Sequence, residues 1–209
     1  MRKHILITAL GLVLWCITAA QAKDNNCEIP EITQALISDD FVSVQKVFIW
    51  QWLDYLYVFQ PRHKEAKTGF IIYPGGGADP RGYAPAAHNI AARGFLTAIV
   101  SMPLDLAIFG SNRALEVIAR FHGIETWAVG GHSLGGVMAC NYARKFTATI
   151  DAVILWASYP SEIYRIDDKD LKVLSIYGTA DEAVTLDEIE ESRQHLPADT
   201  VWVEIEGGT

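Results

Sequence analysis

The sequence predicts an α/β fold: a mostly parallel sheet with helices on both faces. Three observations predict it. Apolar runs such as Phe70-Ile71-Ile72-Tyr73 and residues 95–100 show no polar alternation, which marks strands buried on both sides. Segments with helical apolar spacing, such as Tyr83, Ala87 and Ile90, alternate with these runs, as crossover helices do. The run Val129-Gly130-Gly131-His132-Ser133-Leu134-Gly135-Gly136 places Gly-x-Ser-x-Gly where an apolar strand gives way to a helix. A serine leaving a strand at so sharp a turn needs neighbours with almost no side chain.

The elements follow in chain order. Residues 41–49 and 53–59 are rich in Val, Phe and Tyr and form a hairpin or meander entering the sheet. The strand at residues 68–73 ends at Pro74-Gly75-Gly76-Gly77, and a helix then runs to Gly94. After the strand at 95–100, Leu115, Ile118, Ala119 and His122 mark a second helix, ended by Gly123. Trp127-Ala128-Val129 leads into the elbow, and residues 134–146 form the helix after it. Residues 152–156 and 173–177 are buried strands. Thr185 and Glu188 make a capping box for a helix running to about His195, and residues 201–205 are the last strand.

Composition narrows the class. Half of the 209 residues are hydrophobic, enough for one domain with a sizeable core. A net charge of −8 argues against nucleic acid as a partner, because phosphate binding needs a basic surface. Arg2, Lys3 and His4 precede an apolar run over residues 5–20, then Ala20-Gln21-Ala22 and the polar Lys23-Asp24-Asn25-Asn26. This is the pattern of a secretory signal peptide, residues 1–22, cleaved after Ala22. The domain then spans 23–209 and is secreted or periplasmic, with no stable membrane association after cleavage. An uncleaved anchor is the alternative, although the run is short for a span of about 20 residues. Cleavage leaves Cys27 and Cys140, which are expected as two separate thiols, with Cys140 on a helix face packed against the sheet.

Ligands in such sheets sit at the carboxyl ends of the strands. Three loops there carry the unusual residues: 74–81, 130–136 and 178–183. Gly75-Gly76-Gly77 does not extend to a dinucleotide loop, because Pro80 stands where its third glycine is required. With no H-E-x-x-H and no paired-cysteine motif, neither a metal nor a cofactor is expected.

From about residue 41 onward the chain resembles the α/β-hydrolases, and within them the small, lid-poor serine hydrolases related to dienelactone hydrolase. The resemblance rests on Tyr73-Pro74-Gly75-Gly76-Gly77-Ala78-Asp79-Pro80, on Gly130 through Gly136, and on Ile176-Tyr177-Gly178-Thr179-Ala180-Asp181. It implies that Ser133 is the nucleophile and Asp181 the triad acid, with adjacent Glu182 as the fallback. It implies oxyanion amides at Gly76 and Leu134, with Gly77 as the alternative to Gly76. It implies hydrolysis of a small ester, thioester or amide through an acyl-enzyme. Only a small excursion fits between Trp156 and Lys172, where Tyr159 and Tyr164 are expected at the mouth of the site.

The histidines break the pattern. In the resembling family the base follows the last strand, whereas here Gly207-Gly208 is followed by Thr209. His132 should point into the protein, and His88 should sit toward the far end of its helix. His122 is expected to cap a helix C-terminus, and His63 lies in a polar loop. His195 belongs to a helix leading away, and His4 to the signal peptide. The sequence therefore reads as an α/β-hydrolase fold lacking the histidine loop and final helix, with an exposed edge strand carrying Trp202. A non-catalytic remnant, or a protein that binds without turnover, is the alternative.

Overall fold

The computed structural model describes residues 29–50 and 54–209. The expected signal peptide and Cys27 lie outside the described residues. The continuous apolar runs become the middle of an eight-stranded sheet of order β1-β2-β4-β3-β5-β6-β7-β8. The strands are β1 (Val42–Trp50), β2 (Asp54–Pro61), β3 (Thr68–Tyr73), β4 (Leu96–Val100), β5 (Thr126–His132), β6 (Ala152–Trp156), β7 (Lys172–Gly178) and β8 (Val201–Ile205). β1 and β2 form an antiparallel hairpin, and β2 pairs antiparallel with β4. From β4 to β8 every pairing is parallel.

Strand alternation divides the core into two layers. Phe70, Ile72 and Ile99 face α2 (Ala84–Ala92), which adds Ala84, Ala87, Ile90 and Ala91, while α1 (Pro30–Ala35) contributes Ala35. Ile71, Tyr73, Val100 and Val129 face the other side, under α3 (Ala114–Ile118) and α4 (Leu134–Lys145). Cys140 is buried there among Met138, Ala139, Tyr142 and Ala143, a free thiol whose pKa burial pushes up. α5 (Leu186–Ser192) buries Ile189 against Tyr177 and carries the expected Thr185–Glu188 capping box.

Two expected elements end early. The helix placed through His122 stops at Ile118, after which Arg120 and Phe121 bond only three residues back. Phe121 and Ile124 turn toward the core instead, and His122 is left exposed beyond the helix rather than capping it. α5 stops at Ser192, and residues Arg193–His195 form a 3₁₀ turn. β8 is an edge strand, as expected, but its Trp202 is half-buried rather than bare. Its ring lies 6.3 Å from that of Tyr177, and the Arg193 guanidinium sits 4.2 Å above it.

Candidate functional site

Ser133 stands between β5 and α4 with φ 49° and ψ −125°, a conformation rare for any residue with a side chain. Backbone bonds on both sides hold it there. Its N–H donates to the Trp156 carbonyl at 3.0 Å. Its carbonyl accepts the Ser158 hydroxyl at 2.7 Å and the N–H groups of Gly136 and Val137 at 3.0 and 3.2 Å. Glycine makes the approach possible: a Cβ on Gly131 would lie 2.2 Å, and one on Gly135 2.1 Å, from the carbonyl oxygen of Tyr73. The end of β3 thus meets the elbow backbone to backbone. The Ser133 hydroxyl has no hydrogen-bond partner among the described residues.

The glycine loop after β3 is sorted by its hydrogen bonds. Gly75 donates its N–H to the Tyr83 hydroxyl at 2.9 Å, and Gly77 donates to the Asp105 carbonyl at 2.8 Å. The N–H groups of Gly76 and Leu134 have no acceptor among the described residues. The two residues are neighbours, since a Cβ on Gly76 would lie 3.2 Å from Leu134 Cδ2 and 3.7 Å from its Cβ. Of the two glycines considered for an oxyanion amide, Gly77 is occupied and Gly76 is open.

Asp181 lies in the loop after β7. Its Oδ1 accepts the N–H groups of Ala183 at 2.8 Å and Val184 at 3.0 Å, which fixes the carboxylate, and its Oδ2 has no partner among the described residues. Glu182 beside it is exposed. The turn after β8 docks on this same loop: Ala180 donates to the Gly208 carbonyl at 2.8 Å, and Gly207 donates to Thr179 Oγ1 at 2.8 Å.

The structure does not bring a described histidine into hydrogen-bond contact with Ser133. His132 points inward as expected, its Nδ1 3.2 Å from the Tyr83 hydroxyl. Burial holds its pKa below the ordinary imidazole range, and the Asp181 charge pulls weakly the other way. His88 bonds the Ala35 carbonyl at 2.9 Å and Asp39 at 3.0 Å. His195 bonds the Pro160 carbonyl at 3.2 Å and Glu162 at 3.0 Å. His63 packs edge-on against Phe41, with ring centroids 5.6 Å apart. Tyr159 gives its hydroxyl to Glu188 at 2.6 Å, and Tyr164 packs on the core, so both expected mouth residues have structural partners. Among the described residues no cluster of three or more His, Cys, Asp or Glu could hold a metal.

Sequence reasoning gave no site role to Asp105 or Ser158, and read Tyr83 only as part of a helix face. Ser158 had a usable signal, being a serine just past the strand that neighbours β5. Asp105 had none, because it acts through its backbone carbonyl.

The model of the alpha/beta hydrolase family matches residues 69–209. No curated protein matches the chain. Among solved structures, the fold is similar to a predicted CIB-like hydrolase from Thermoplasma acidophilum, with 14% identity and a TM-score of 0.65 over 80% of this chain and 88% of that one. A candidate dienelactone hydrolase from Klebsiella pneumoniae shares 15% identity at a TM-score of 0.58, covering 79% of this chain and 85% of its own. An alpha/beta hydrolase from a Medee basin deep-sea metagenome shares 18% at 0.59, covering 82% and 83%. At such identities the likeness is one of fold, but the family match runs from β3 through β8: the chain belongs to the alpha/beta hydrolase family.

Proposed function

We propose that the protein is a serine hydrolase acting on esters, thioesters or amides through an acyl-enzyme. The observation that carries this reading is the strained Ser133 beside two amides, Gly76 and Leu134, that have no acceptor among the described residues. Ser133 Oγ attacks the substrate carbonyl carbon and loses its proton to a base. The carbonyl oxygen becomes an oxyanion and accepts both N–H groups, which are held in place before the reaction begins. Collapse expels the alcohol, thiol or amine, which takes up that proton, and water then releases the acid by the same route. Asp181, fixed by Oδ1, has Oδ2 available to orient an imidazole and stabilise its charged form.

That imidazole is none of the five described histidines in their present positions. The backbone at Gly207 and Gly208 touches the Asp181 loop, so a histidine placed just after it would lie beside the acid. A fluorophosphonate probe tests the nucleophile. Labelling is expected at Ser133, absent in Ser133→Ala, and faster in a variant with a histidine-bearing segment appended after Thr209. Labelling elsewhere, or undiminished in the alanine variant, would overturn the assignment.

A second reading, a pocket that binds an ester-like ligand without turnover, is favoured by the absence of any histidine bond to Ser133 among the described residues. Unchanged labelling on appending the histidine would support it. We also propose export, with residues 1–22 removed. Mass spectrometry of the mature protein should find Lys23 first, whereas Met1 in a membrane fraction would indicate an anchor.

A further inference from the structure

We propose that the loop after β4, residues 101–110, binds the apolar part of the substrate, so that the preferred substrates carry an aliphatic or aryl group beside the scissile carbonyl. This deepens the hydrolase reading above and rests on it.

The loop is held in an unusual shape. Leu104 and Asp105 are consecutive non-glycine residues at φ 54° and 56°, a left-handed pair that the chain disfavours unless its surroundings fix it. This shape aims the Asp105 carbonyl at the Gly77 N–H, 2.8 Å away, which ties the loop to the glycine loop. It also turns Leu104 outward, 82% exposed. Ala107 is fully buried in the core, and α4 packs against the turn Ala107–Phe109, so the loop is anchored on both sides.

Its side chains are the wrong kind for a solvated loop. Besides Leu104, Ile108 is 49% and Phe109 57% exposed. Single exposed apolar residues are ordinary, but three within six residues on one anchored loop are a concentration that solvent alone does not favour. The loop is continuous along the chain with the site: Leu106 Cδ2 lies 3.6 Å from where a Cβ on Gly76 would sit, and Leu134 closes the other side. An oxygen bound at the Gly76 and Leu134 amides therefore has apolar walls beside it. The group bonded to that carbonyl carbon, one bond from the oxygen, meets these walls, and the exposed Leu104, Ile108 and Phe109 belong to the same loop as Leu106. A charged or sugar-like group would lose hydration there without gaining a partner.

Straight-chain 2-alkanones of five to eleven carbons test this by calorimetry, since they carry the carbonyl and cannot be cleaved. For the wild type and Ser133→Ala, Kd should fall by up to about 4-fold per added methylene. In Leu104→Asn/Ile108→Ser/Phe109→Ser the slope should flatten; asparagine tolerates the left-handed backbone, and the three residues are exposed, so folding is expected to survive. Phe109→Ser alone serves if the triple variant unfolds, with a reduced slope expected. A flat slope in the wild type, or an unchanged slope in a folded variant, overturns the proposal. So does phosphatidylcholine vesicle binding that depends on these residues while alkanone binding does not. Because Ser133→Ala should keep the slope, failure of the nucleophile assignment is read separately, from the fluorophosphonate label.

Discussion

Ser158 donates its hydroxyl to the carbonyl of Ser133 at 2.7 Å, from the first turn beyond the neighbouring strand β6. A Cβ on Gly136 would lie 2.5 Å from the same hydroxyl oxygen, so Ser158 fills the space that glycine leaves. The hydroxyl therefore braces a backbone conformation that Ser133 would not hold alone. Ser158→Ala should destabilise the fold by about 1 kcal/mol, because Gly136 and Val137 still satisfy the carbonyl. Fluorophosphonate labelling of Ser133 should slow beyond that stability loss; an unchanged labelling rate would show that the brace is dispensable for the site.

Two glycines should fail for different reasons. Gly135→Ala drives a Cβ to 2.1 Å from the Tyr73 carbonyl, a backbone atom that cannot swing away. A loss of about 3 kcal/mol or more is expected. Gly207→Ala meets nothing within 4 Å, but its φ of 68° is left-handed. It should cost only ~1 kcal/mol. Urea midpoints of the two variants check the ranking, and a reversed order would refute it.

His132 makes stability depend on acid. Because burial lowers its folded pKa, the unfolded chain takes up a proton at a pH where the folded chain does not. Its contribution is complete above about pH 6.5 and is lost as pH falls below that, levelling off once the folded value is passed. His132→Gln should therefore narrow the gap between urea midpoints at pH 7.5 and pH 5. An equal gap in the variant and the parent would remove His132 as the cause.

Asp181→Asn separates turn from charge. The amide oxygen can still accept from Ala183 and Val184, so thermal stability should change by no more than about 0.5 kcal/mol. The charge that raises the His132 pKa is gone, so NMR titration should place that pKa lower still. A large fall in the thermal midpoint would mean that the carboxylate is structural.

Asp54 pairs with Arg113, joining the start of β2 to the turn before α3, with both side chains largely buried. Arg113 Nη1 is buried without a hydrogen-bond partner among the described residues, so the guanidinium depends on Asp54. Asp54→Ala should cost about 3 kcal/mol by leaving a buried charge unpaired. Asp54→Ala/Arg113→Met should recover much of it, and a double variant as weak as the single would contradict the argument.

The inner strands β3 to β7 were legible in the sequence because a strand buried on both faces can tolerate only apolar or small residues along most of its length. The elbow was legible because close backbone approach admits only glycine. Local chemistry also fixed the Thr185–Glu188 cap, whose partners are three residues apart. Periodicity misled at Ala119 and His122, where the spacing suits a helix but Phe121 gains more by turning to the core.

What sequence alone determined is the chemistry on offer: a serine between glycines, an aspartate after a later strand, three glycines after an earlier one. Tertiary structure decided which of those groups are free to act. Gly77 and Gly76 are identical in side chain, and only the arrival of the Asp105 carbonyl, 28 residues along the chain, occupies one and leaves the other open. Trp202 reads as bare until Arg193 and Tyr177 are brought over it. Hydrogen-bond occupancy and the covering of an exposed ring depend on partners distant in sequence, and no local pattern encodes them.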